Sequence, residues 1–164
     1  MQNKILAAAF GVALLSGCQQ ATAPAPAPSS SVAAVTEDEA RKAFDSTVAS
    51  WQSMDAAKIK GVYAPDVAGF DFAMAPLVTD RATWDKAQDA FAAGKIDSLK
   101  VSAKKIQLLG ADAFVVSSMA DATSSTMPKN NGVLRCTDVY QREAGGAWLV
   151  VNEHCSSAPK GAAA

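Results

Sequence analysis

The sequence predicts an α+β domain, with N-terminal helices packed on one face of a strongly bent antiparallel sheet. Three observations predict it. The composition is globular, with 49% apolar and 19% charged residues in a chain of 164, room for one domain of ordinary size. Between Thr36 and Gly94, apolar residues recur mostly at steps of three and four, the period of amphipathic helices. From Leu99 onward the period drops to two, and helices followed by long alternating strands make an α+β order.

The elements follow in chain order. Thr36-Glu37-Asp38-Glu39 is a capping box, and Ala40, Phe44, Val48, Trp51 and Met54 form the apolar face of the helix it opens. Asp55 caps a second, shorter helix with Ile59, Val62 and Tyr63 on its apolar side, and Pro65 is expected to stop it. "VAGFDFAM" has strand character, with Phe70 and Phe72 on one face and Asp71 on the other. Asp80 caps a third helix carrying Trp84, Ala87 and Phe91, and Gly94 fits its C-terminal end. Leu99, Val101 and Ala103 share one strand face, while Ile106 and Leu108 continue on the opposite parity. A bulge near Lys104–Lys105 would reconcile them. "AFVVSSMADA", "VLRCTDVYQRE" and "AWLVVNEHCSS" complete the sheet.

Fifteen Lys and Arg against sixteen Asp and Glu leave a net charge of −1 without a run of either sign, which argues against nucleic acid as a partner. Residues 1–17 lie outside the fold. "MQNK" is a short cationic start and "ILAAAFGVALL" an uncharged run of eleven, the layout of a secretory signal and short of the ~20 residues a membrane span needs. Its end, "LSGC", resembles the lipobox of bacterial lipoproteins. The resemblance implies cleavage before Cys18 and acylation of that residue with palmitate-type chains, which would bind membrane lipid. Gln19 is not the Asp that retains enteric lipoproteins in the inner membrane, so the resemblance implies the outer membrane, facing the periplasm. Residues 18–35 are an Ala/Pro/Ser-rich tether, 36–159 the domain, and 160–164 a disordered tail.

"ASWQSMDAAKIKGVYAPDVAGFD", the Trp84-Asp85-Lys86 helix, "RCTDVYQR" and the ending "GAWLVVNEHCSSAP" together resemble the SnoaL-like branch of the nuclear transport factor 2-like superfamily, over about residues 37–159. The resemblance implies a cone-shaped fold around a pocket and often a homodimer through the sheet. It implies no single activity, since the superfamily includes isomerases, dehydratases, cyclases and members that only bind.

Strand parity organises the site residues. With Gly145-Gly146 as a two-residue turn, Ala144 faces Ala147, Cys136 faces Cys155 and Thr137 faces His154. The cysteine pair then has the hydrogen-bonded type, ~5.5 Å between Cα atoms, within reach of a disulfide. An oxidising compartment favours that bond over two buried thiols, and closing the loop stabilises the fold by ~3 kcal/mol in the chain-entropy model. His154 and Cys155 point to opposite faces and form no dyad. The face carrying Trp148, Val150, Asn152, His154, Arg135, Thr137 and Val139 is the pocket side by resemblance, with Leu149, Val151, Glu153, Asp138 and Tyr140 outside.

The expected ligand-binding residues are therefore Trp51, Asp71, Trp84, Arg135, Thr137 and His154. Packing in the core is the plainer role for the tryptophans, and an ion pair for Arg135. His154 is either a structural strand-end residue or, with Asp71 or Arg135, an acid–base catalyst. Tyr63 and Asp71 are rough counterparts of a ketosteroid-isomerase site, without the full motif. One His and two opposed Cys make no metal set, and no cofactor motif stands in the chain. The reading favours a small-molecule-binding domain, partly apolar with an anion held by Arg135. Its alternatives are an acid–base enzyme of isomerase or lyase type and an envelope interaction module dimerising through its sheet.

Overall fold

The structure is a computed structural model that describes residues 33–71, 76–126, 128 and 131–158. The signal segment, Cys18, residues 18–32 of the tether, Phe72 and the 160–164 tail lie outside the described residues. Among the described residues, three helices and five strands follow one another as α1 (Glu37–Gln52), α2 (Ala56–Gly61), β1 (Tyr63–Phe70), α3 (Arg81–Ala93), β2 (Ser98–Leu108), β3 (Ala113–Thr123), β4 (Gly132–Arg142) and β5 (Trp148–Ser157). The sheet order is β1-β5-β4-β3-β2. β1 pairs with β5 in parallel, and the other neighbouring strands pair antiparallel.

Local chemistry sets the helix starts. The Thr36 hydroxyl accepts from the Glu39 N–H, and Glu39 reaches back to the Thr36 N–H, closing the capping box. Val35, just before the cap, is already buried, the position of a hydrophobic staple. Asp55 and Asp80 cap α2 and α3 through their carboxylates. Pro65 does not end α2, which stops at Gly61. It lies inside β1, an edge strand whose pairing is irregular between Tyr63 and Ala68, where a missing N–H is tolerated. The apolar faces of α1 and α3 meet the inner face of the sheet in one core of Ala40, Phe44, Val48, Trp84, Phe114, Val116, Tyr140 and Val150.

Two bulges bend the sheet. In β2 the register with β3 shifts between Val101 and Ala103, so the bulge falls at Ser102, ahead of the expected Lys104–Lys105. It reconciles the two parities as anticipated, and Leu99, Val101 and Ile106 are all half-buried. The second bulge was not anticipated. The β4–β5 loop has three residues rather than two: Glu143 faces Ala147, joined by a hydrogen bond of 2.8 Å, and Gly146 takes φ +86°. One extra residue in the loop slips the register, and Val151, left unpaired between Val139↔Asn152 and Tyr140↔Val150, slips it back. Beyond the bulge Cys136 faces Cys155 and Thr137 faces His154, the expected pairs reached by two compensating departures.

Candidate functional site

Those departures decide what lines the cavity. Between the loop and Val151, Val150 pairs with Tyr140, and both are buried. Past the bulge the inward positions of β5 are Glu153 and Cys155, and those of β4 are Leu134, Cys136 and Asp138. The expected faces are therefore reversed, because a one-residue slip turns every side chain over. Arg135, Thr137 and His154 are exposed on the outer face. His154 packs its ring on Phe70 at 5.5 Å between centroids, and Arg135 reaches Ser156. None of the three lines the cavity, and neither an anion grip by Arg135 nor catalysis by His154 has a place there.

The cavity is small, about 50 Å³, and is walled by Trp51, Phe91, Leu99, Val101, Ala120 and Leu134. Its polar lining is Tyr63, Asp71, Gln88, Ser118 and Glu153, and the cysteine pair completes the wall. The bond between Cys136 and Cys155 is formed. Its Cα atoms are 4.2 Å apart, nearer the spacing of a non-hydrogen-bonded pair than the expected ~5.5 Å. Of the expected binding residues, Trp51 and Asp71 reach the cavity. Trp84 is a core residue, fully buried with its ring edge-on to Tyr63 at 5.3 Å.

A polar relay runs along the cavity floor. The Trp51 indole donates to the Tyr63 hydroxyl at 3.1 Å, and that hydroxyl donates to Glu153 Oε2 at 2.9 Å. Gln88 donates to Asp71 Oδ2 at 3.1 Å. Beneath Glu153, its cross-strand partner Asp138 is 0% exposed, and neither carboxyl oxygen has a hydrogen-bond partner among the described residues. Burial pushes the Asp138 carboxyl from 3.8 up to about 7. Burial first, then the nearby Asp138 and Asp71 charges, push Glu153 well above the carboxylate range, and the Tyr63 hydrogen bond only partly opposes them. Burial, then Glu153 and Asp138, also raise the Tyr63 phenol. Near neutral pH the floor thus presents the Glu153 carboxyl in its protonated form, able to donate a hydrogen bond.

Gly69 positions this floor. It pairs with Glu153, and a Cβ there would collide with the Glu153 carbonyl, so only glycine lets β1 lie against β5 at this point. Sequence reasoning missed Glu153 and Asp138 as cavity-side groups. The available signal was their pairing: two like charges facing across a hairpin are unfavourable on an open surface and point to a buried, neutral pair.

Comparison with solved structures agrees with this geometry. The chain superposes on a candidate calcium/calmodulin dependent protein kinase II association domain from Xanthomonas campestris with TM-score 0.64 and 24% identity, covering 77% of this chain and 91% of that one. An NTF2-like protein of unknown function from Pseudomonas putida KT2440 matches with TM-score 0.64 and 22% identity, covering 75% and 86%. A candidate dehydratase of the NTF2-like family from Streptomyces avermitilis matches with TM-score 0.63 and 14% identity, covering 74% and 95%. The domain has the nuclear transport factor 2-like fold. No protein-family model and no curated protein sequence matches the chain. At these identities the likeness establishes the fold, a helix-lined bent sheet around a pocket, and leaves the chemistry to this chain's own residues.

Proposed function

We propose that this nuclear transport factor 2-like domain is a lipid-anchored binding protein of the bacterial cell envelope, tethered through Cys18 to the outer membrane and facing the periplasm. Its cavity holds a small, largely apolar, uncharged molecule by a hydrogen-bond acceptor such as a carbonyl. The observation that carries the ligand reading is an apolar wall ending in the Tyr63–Glu153 pair, whose carboxyl is held protonated by burial. Ligand sites for drug-sized molecules span ~300–1,000 Å³. A cavity of about 50 Å³ favours a molecule of a few heavy atoms unless Phe91 or Leu134 moves aside. The lining residues include no Lys or Arg, so the expected anion gives way to a neutral ligand.

A thermal-shift panel of small neutral carbonyl compounds tests the reading. A saturable upward shift, lost when Ala120→Leu fills the cavity, is expected; no shift from any compound, or equal binding by the filled variant, would refute it. Metabolic labelling with a clickable palmitate analogue tests the anchor, and Cys18→Ser must abolish the label.

One observation favours a second reading. Two buried carboxyls with raised proton affinity, facing each other beside a cavity, suit acid–base catalysis of the isomerase or dehydratase type. This moves the enzymatic alternative from His154 to Glu153, and loss of turnover with retained binding in Glu153→Gln would identify it. Pairing of two copies through the outer sheet face, where half-buried Val115, Met119, Val133 and Val139 lie, is the proposed partner arrangement, and sedimentation velocity decides it.

A further inference from the structure

The inward face of the terminal hairpin holds two successive cross-strand pairs, Cys136 opposite Cys155 and Asp138 opposite Glu153. They stand two residues apart on each strand, so two sulfurs and two carboxyls form a compact quartet on one face. Ligand atoms of Asp138, Glu153 and Cys155 all lie within 4.8 Å of one another. Cys136 completes the set through its bond to Cys155. Asp138 is completely buried at this place with both oxygens unpartnered among the described residues, an arrangement that hydrogen bonding within the fold does not account for.

We propose that reduction of the Cys136–Cys155 bond turns this quartet into a tetrahedral S₂O₂ site for a zinc-class divalent ion. The donor set supports it: thiolates with carboxylates suit Zn²⁺, whereas Mg²⁺ or Ca²⁺ asks for oxygen alone. The dimensions agree. Zn–S bonds of ~2.3 Å and Zn–O bonds of ~2.0–2.2 Å place tetrahedral ligand atoms roughly 3.3–3.8 Å apart. From within 4.8 Å, the ligand atoms of Asp138, Glu153 and Cys155 need to close by up to about 1.5 Å, while the two sulfurs move apart once their bond is broken. Two adjacent, rigidly paired strands present all four residues, so little backbone order is lost on binding.

The redox step balances with a dithiol reductant. Its two sulfurs form their own disulfide, the Cys136–Cys155 bond breaks, and two electrons and two protons end on the cysteine sulfurs. Metal binding then releases the two thiol protons, and any proton held by the Asp138 and Glu153 carboxyls, to solvent. Both sulfurs line the cavity and Cys136 is only half-buried, which gives a reductant a path to the bond. Cys136, Cys155 and Glu153 also line the cavity, so the reduced, metal-holding form and the oxidised form proposed to bind the small molecule are alternatives at one place; only Asp138 lies outside the cavity wall.

The test uses the full chain, oxidised or reduced with a phosphine that is then removed, titrated with Zn²⁺ against a chromophoric chelator. The reduced chain is expected to bind one equivalent and the oxidised chain at least a hundredfold more weakly. Asp138→Asn should weaken binding by the reduced chain at least tenfold with an unchanged circular dichroism spectrum. Cys136→Ser needs no reductant and keeps Cys155, Asp138 and Glu153, so it is expected to take one Cd²⁺ with a sulfur-to-metal charge-transfer band. The proposal is overturned if the reduced chain binds no metal, if Asp138→Asn binds as tightly as the parent, or if Cys136→Ser shows no such band. Small-molecule binding is read on the oxidised parent chain, which none of these outcomes alters, so failure here is distinguishable from failure of the ligand reading.

Discussion

Replacing Asp138 by Asn should make the protein more stable at pH 8 and erase much of its pH dependence. The oxygens of this carboxyl have no hydrogen-bond partner among the described residues, it faces Glu153, and burial raises it from 3.8 to about 7. Below about pH 4 both folded and unfolded chains hold the proton, and the group is silent. Between about 4 and 7 the unfolded chain releases it while the folded chain keeps it. The folded state then binds more protons, so stability falls as pH rises through this window and stays reduced above it. At ~1.4 kcal/mol per tenfold change, a rise from 3.8 to about 7 costs the folded state about 4 kcal/mol at pH 8. Asn has nearly the same shape and no charge. Its buried amide, short of partners, takes back about 1–3 kcal/mol, leaving a net gain of roughly 1–3 kcal/mol at pH 8 and a net loss of about 1–3 kcal/mol at pH 4. The other ionisable neighbours, Glu153, Tyr63 and Tyr140, also relax when the Asp138 charge goes. The assay is urea unfolding of the disulfide-intact, chelator-treated protein at pH 4.5, 6 and 8, with free energies from linear extrapolation. A parent whose stability is flat across that range, or a variant that keeps the parent's slope, would refute the buried-acid account.

Three further outcomes follow from the same geometry. Tyr63→Phe removes the donor to Glu153 Oε2 and the acceptor of the Trp51 indole, so urea unfolding should show a loss of about 2–4 kcal/mol, larger than for an exposed Tyr. Gly69→Ala drives a Cβ into the Glu153 carbonyl and should cost about 3 kcal/mol or more, with faster amide exchange in β1 as it separates from β5. Cys136→Ser with Cys155→Ser opens a loop spanning a sequence separation of 19 and should cost about 3 kcal/mol, with no further loss when a reductant is added.

Much of this protein is legible without coordinates, because the relevant physics is local. The caps at Thr36, Asp55 and Asp80 depend on one side chain and the next three backbone N–H groups, and all three open helices. The switch from a helical to a two-residue period marks the sheet. The conflict between Val101 and Ile106 announced a bulge, which fell at Ser102 instead of the expected Lys104–Lys105 because its place depends on the β3 partner. The pairing of Cys136 with Cys155 was also within reach, though the assumed two-residue turn was wrong and was offset at Val151.

What the sequence by itself determined is the set of elements, their order and, beyond Val151, which hairpin residues are opposite one another. Only the tertiary structure decided which face of that hairpin turns inward. A strand's two faces differ by a single residue of register, and the loop length and the Val151 bulge each contribute one. Nothing local distinguishes a bulge at Val151 from a continuous strand through "WLVVNEHC"; the choice is made by burying Val150 against Tyr140 while Glu153 meets Tyr63. The same choice sends His154 and Arg135 to the surface, brings Glu153 and a disulfide to the cavity, and buries Asp138 beside them.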